Sequence, residues 1–155
     1  MKKIFYIALL IFSISLNAQE KKNYLIHLTS DPMQNPSAAF MSINAASEAL
    51  KQGHNTVYFA AGDGVKILMN DIINNLHTVT MHGGSTNNLS MRMKKLLIDF
   101  ANNGGVIHVS EGSFKTYGVS KDNSDMLILD SEKIKWSYPK ELIQESSKAD
   151  ILFSY

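Results

Sequence analysis

The 155-residue sequence contains no cysteine. That absence excludes disulfide cross-links, thiol nucleophiles, persulfides, thiolate metal sites and C-x-x-C redox chemistry. The hydrophobic core must therefore hold the fold unaided. An excess of charge of either sign is also missing. The formal net charge is +1, and the basic stripe that nucleic-acid binding needs is not there. The apolar run at residues 4–16 falls short of the ~20 residues of a membrane-spanning helix. What remains, 45% hydrophobic and 19% charged residues, is the balance of a globular domain and not of a disordered chain.

The apolar run has a context. Lys2 and Lys3 precede it and Asn17-Ala18-Gln19 follows, the charged, apolar, small-residue order of a secretory signal. The expectation is a signal peptide over residues 1–18, cleaved after Ala18, and one domain over residues 19–155 in the periplasm or outside the cell. The alternative is a retained N-terminal anchor. Cleavage would remove two lysines and no acid, taking the net charge from +1 to −1. It would also leave no membrane attachment, because no cysteine is present to carry a lipid.

Short runs rich in β-branched and apolar residues predict strands at 24–29, 54–61, 106–109, 133–136 and 150–153. Between them lie helical signals. Asn35-Pro36 supplies an N-cap and a proline at the first helical position, Phe40, Ile43, Ala46 and Leu50 form one stripe, and Gly53 gives a left-handed stop. A second helix is predicted over 65–74, capped by Asp63. A third runs over 89–102, with Met93, Leu96, Leu97, Phe100 and Ala101 on one face. Shorter ones are expected at 113–117 and after Pro139. Residues 76–88 read as a long surface loop, and residues 119–132 as a polar connector. Strands alternating with helices predict parallel βαβ units with helices on both faces of the sheet.

In an open parallel sheet, ligands bind beyond the carboxyl ends of the strands. Three exits should therefore share one rim: Thr29-Ser30-Asp31, Gly62-Asp63-Gly64 and Ser110-Glu111-Gly112-Ser113. The loop bearing His82-Gly83-Gly84-Ser85 could fold over them as a lid. The candidate ligand-pocket residues are Ser30, Asp31, Asp63, His82, Ser110, Glu111 and Ser113. Backbone N–H groups at the helix starts after Asp63 and at Ser113 would suit a small anionic or polar ligand.

The order of motifs IHLTSDP, NPSAAF, AGDGV, IHVSEGSFKTYG and the closing ADILFSY resembles the DsrE/DsrF-like sulfur-relay family across nearly all of residues 19–155. The resemblance implies a three-layer α/β/α sandwich around a mostly parallel five-stranded sheet, assembled into oligomers, here expected to be homo-oligomers. It also implies that a persulfide-carrying cysteine of the family falls at Ser110, or at Ser110 and Ser113 in a C-x-x-C form. Both positions are serine here, and a hydroxyl cannot carry sulfane sulfur. The sulfur-relay activity is therefore not implied for this chain.

Other chemistry can be weighed residue by residue. A nucleophilic Ser110 or Ser113 needs a base and an oxyanion hole. Neither G-x-S-x-G nor S-x-x-K surrounds them, and helix capping is the simpler role. His27, His54, His77, His82 and His108 include no H-x-H or HExxH pair. His27 and His108 could lie on neighbouring strands with Asp31 nearby, but a strand histidine is more often a hydrogen-bonded core residue. Gly62-Asp63-Gly64 lacks the third glycine of a dinucleotide fingerprint, since Ile67 stands there. The expected function is a non-catalytic small-ligand-binding or accessory module, with neither a cofactor nor a metal. The alternatives are a hydrolase or metal-dependent enzyme built on Ser113, His82 and Asp31, and a subunit of a hetero-oligomeric, sulfur-relay-like complex.

Overall fold

The computed structural model describes residues 20–76 and 87–155. The predicted signal segment and the loop residues His77, His82, Gly83, Gly84 and Ser85 lie outside them. The described strands are β1 (Asn23–Leu28), β2 (Asn55–Ala60), β3 (Val106–Ser110), β4 (Ile134–Ser137) and β5 (Ile151–Ser154). They form one sheet in the order β4-β3-β2-β1-β5, and every pairing is parallel. The predicted strand set is present, each within one or two residues of its expected limits.

The topology decides which face each helix covers. The chain steps from β1 to β2 through α1 (Pro36–Lys51) and from β2 to β3 through α3 (Asn87–Asn102) in one direction. Right-handed crossovers then place both helices on the same face. There the Tyr58 hydroxyl meets Ser42 Oγ at 2.8 Å, and the Tyr58 ring lies edge-on to Phe100. Ile26, Ile43, Tyr58, Met93, Leu97, Phe100 and Ile107 are buried in the core between them. The step from β4 back across the sheet to β5 runs the other way, so α5 (Pro139–Lys148) crosses the opposite face. It has no fully buried residue, and it is the one helix on that side among the described residues.

Local chemistry explains the helix ends. Asn35 Oδ1 accepts the Ala38 N–H at 3.1 Å, and Pro36 opens α1. Gly53 takes φ 86° just beyond its end, as the stop signal requires. α3 starts two residues earlier than its apolar stripe suggests.

Three expectations need correction. The helix predicted over 65–74 is a 3-10 helix, Gly62–Leu68, followed by the short α2, Asn70–Asn74. The break falls at Met69, which is extended and forms an antiparallel bridge with Leu127, while Leu68 O accepts the Ile128 N–H at 2.9 Å. Pairing with a distant segment overrides the helical period. The polar connector is anchored by the same contact, and it buries Val119, Leu127 and Leu129. Finally, His27 and His108 are not on neighbouring strands. β2 runs between them, and Phe59 stands in register with both.

Candidate functional site

The three strand exits do meet. β3 ends at Ser110, whose Oγ accepts the Ser113 N–H at 3.2 Å and so caps α4 (Glu111–Thr116). The Ser113 hydroxyl donates to Ser110 Oγ at 2.9 Å and accepts the Gly62 N–H at 2.9 Å, tying the β3 exit to the β2 exit. The Gly64 N–H reaches Thr29 O at 3.2 Å, which ties β2 to β1. A Cβ at Gly64 would lie 2.3 Å from Leu28 O, so only glycine permits this approach. The amides of Thr29 and Ser30 both donate to Tyr155 O, adding the end of β5 to the same rim.

Sequence reasoning missed the residue that binds the rim together, Lys66. Its ammonium lies 2.8 Å from Asp31 Oδ2 and 3.5 Å from Asp63 Oδ1, and it sits over the Tyr117 ring at 4.8 Å. The Tyr117 hydroxyl donates to Asp63 Oδ1. Asp63 therefore does not cap the helix that follows it. No side chain does so, because its carboxylate is drawn to Lys66 and Tyr117. The signal that could have found Lys66 is its spacing: Asp63 and Lys66 stand three apart, one helical turn.

The charges are mutually compensated. Burial raises the Asp31 pKa, but the Lys66 hydrogen bond and the Met33 amide outweigh it and hold the carboxyl below its ordinary range. Lys66 is pushed up, chiefly by Asp31. Tyr117 is raised by its bond to Asp63. Glu111 pairs with Lys115 at 2.8 Å and lies 3.8 Å from Lys121. The Lys115 bond, with help from the Tyr138 hydroxyl, lowers its pKa. Three carboxylates face three lysines, and open space lies above Gly112, where an added Cβ would touch nothing within 4 Å.

Of the candidate residues, Ser30, Asp31, Asp63, Ser110, Glu111 and Ser113 line this rim, and His82 lies outside the described residues. Ser110 and Ser113 are engaged with each other and with backbone amides, and Asp31 is engaged with Lys66 and the Met33 amide. None of these contacts couples a serine to a histidine. The remaining strand histidines lie on the α5 face. The His27 ring meets Phe59 edge-on at 5.9 Å, and the His108 ring stacks on Phe59 at 5.4 Å. With an aromatic ring between them they cannot share one ion. His108 Nδ1 is 2.8 Å from Ser137 Oγ. Burial lowers the pKa of both imidazoles. No helix among the described residues is long and apolar enough to cross a membrane.

This architecture is shared with solved structures. The YchN protein from E. coli matches with a TM-score of 0.61 at 14% identity, over 88% of this chain and 100% of that one. A conserved protein of unknown function from Bacteroides thetaiotaomicron, BT1422, matches with a TM-score of 0.50 at 14% identity, over 86% of this chain and 95% of that one. At such identity the likeness is one of fold. No curated protein sequence matches. The model of the DsrE/DsrF-like family matches residues 22–155, nearly the whole described sheet and its helices. The chain belongs to the DsrE/DsrF-like family.

Proposed function

We propose that this chain is an exported, non-catalytic member of its family, an accessory module that holds a small polar or anionic ligand at the carboxyl-end rim. One observation carries this reading. Ser110 occupies the strand end assigned by resemblance to the persulfide cysteine, and its hydroxyl caps α4 and accepts from Ser113. A serine that already accepts two hydrogen bonds, with no base beside it among the described residues, is a scaffold group and a poor nucleophile. Of the first-turn amides of α4, that of Ser113 is taken by Ser110 Oγ, those of Glu111 and Gly112 lack intrahelical partners by geometry, and the space above Gly112 leaves room for an acceptor to reach them.

The test is a titration of the 15N-labelled protein with inorganic phosphate and with acetate. The reading expects saturable shifts at the amides of Glu111, Gly112 and Ser113, weakened in a Ser113→Ala variant. Shifts scattered over surface lysines, or none at millimolar concentrations, would count against it. A hetero-oligomeric role is the second reading. It is favoured by the thinly covered sheet face, where Ile143 and Leu152 are exposed. The same face would serve the expected homo-oligomer.

A further inference from the structure

The helix on the thin side of the sheet covers two histidines. α5 packs against β1 and β4, so it passes over β3 and β2, which lie between them. One row of in-register residues on that face runs His27, Phe59, His108 and Lys135. Phe59 is 1% exposed and His108 4%.

Hydrogen bonds fix the tautomer of His108. The Ser137 hydroxyl has one proton, which it donates to Lys135 O at 3.1 Å. Its oxygen therefore accepts from His108 Nδ1 at 2.8 Å. Nδ1 carries the imidazole proton, and Nε2 is left with a bare lone pair. That Nε2 is shut off from water and has no partner, as is His27 Nε2. A second proton on His108 must go to Nε2. It would create a cation at a place that neither water nor an acceptor reaches, which is costly.

The surrounding groups do not offset that cost. Burial and then the Lys135 ammonium of β4 keep the imidazole neutral to below its ordinary 6.5, and Lys148 of α5 adds to this. Glu145 and Glu141 of α5 act the other way. Both are already engaged, Glu145 with Lys148 at 2.7 Å and Glu141 with the Tyr138 N–H at 2.8 Å. β2 presents only the Phe59 ring, and His27 of β1 lies beyond it.

α5 is the element free to give way. It buries no residue completely. Its side-chain bonds stay within the helix and its own cap: Glu141 to the Tyr138 N–H, Ser147 to Ile143 O, and Lys148 to Glu145. Among the described residues none of them reaches the sheet. The chain beyond its end is pinned, because Asp150 accepts the Asn23 N–H at 2.8 Å and donates its own N–H to Asn23 O at 2.9 Å. The helix can therefore lift while β4 and β5 stay paired.

We propose that α5 is an acid-released cover: a proton taken up at His108 Nε2 expels the helix from the sheet, gives the imidazolium water and bares Leu25 and Phe59, while the five strands, α1 and α3 persist. The open form binds the proton more tightly, so the cover is closed above pH 6.5 and released progressively below it.

Amide hydrogen exchange on the full 15N-labelled chain, corrected for the intrinsic rate at each pH, tests this. Below pH 6.5, protection at residues 142–148 should fall by up to about tenfold per pH unit, the slope of one proton, while protection at residues 42–50 of α1 holds. In His108→Gln, which keeps an amide donor for Ser137 but cannot titrate, α5 protection should not vary with pH. Long-range 15N spectra of the parent imidazole need no variant. They should show the neutral-pH proton on Nδ1 and His108 titrating in step with α5 opening. Equal loss of protection in α1 and α5, pH-independent α5 protection in the parent, pH dependence retained in His108→Gln, or a neutral-pH proton on Nε2 would overturn the proposal.

Discussion

Lys66 belongs to no motif, yet at the residue scale it links two strand exits. Asp31 and Lys66 are both largely shielded from water, with side chains 12% and 18% exposed. Lys66→Met would leave Asp31 charged, shielded and without its main partner. The expected loss is about 1–3 kcal/mol, read by urea denaturation. Asp31→Asn/Lys66→Met should recover part of it, and a single-variant loss within experimental error would show that solvent already satisfies Asp31. The strand histidines make a second residue-scale prediction. Burial lowers both imidazoles from 6.5, so between that value and the lower folded one the unfolded chain binds more protons. Their contribution to stability is complete above pH 6.5 and is lost as pH falls through that window. For His108 the surrounding charges divide: Lys135 and Lys148 reinforce the shift, and Glu145 and Glu141 oppose it. Melting temperature followed downward from neutral pH should fall, and His108→Gln should flatten the slope. An unchanged slope in that variant would assign the fall to other groups.

Helices and strands were legible where one chemical signal dominated. α1 carries an Asn-Pro start, a single stripe and a glycine stop, and all three act as read. β1 and β2 carry apolar residues on both faces, Ile26 and Tyr58 on one and Leu25 and Phe59 on the other, because helices lie on both sides of the sheet. Two failures involve a partner far along the chain. Met69 pairs with Leu127, and nothing within ten residues of Met69 announces it. Asp63 reads as a cap until Lys66 and Tyr117 compete for its carboxylate. The candidate rim was legible as a set of strand exits, because topology alone brings them together. Its Lys66–Tyr117 component was not. Two substitutions test the element scale. Ser110→Ala removes the α4 cap and should lower stability by about 1 kcal/mol; a neutral outcome would mean that Ser113 or water replaces it. Gly64→Ala drives a Cβ into Leu28 O and should destabilise by about 1–3 kcal/mol. Stability equal to the parent would mean that the 3-10 segment can lift from β1.

The whole molecule is asymmetric. One sheet face is covered by two long helices with a continuous core. The other carries α5, which buries none of its own residues completely, and leaves Ile143 66% and Leu152 50% exposed. The proposed self-association uses that face. Light scattering should give a mass above the monomer, reduced to the monomer by Ile143→Lys with Leu152→Lys; a monomeric parent would refute it. The proposed function rests on Ser110, whose capping hydroxyl stands at the strand end assigned by resemblance to the family's sulfur carrier. Intact-mass spectrometry after exposure to inorganic polysulfide tests this most directly, with Thr116→Cys as an exposed reference thiol on the same helix. The parent chain should gain nothing, while Ser110→Cys should gain the mass of sulfur faster than Thr116→Cys. Sulfur on the parent chain, or a Ser110→Cys no more reactive than the reference, would contradict the account.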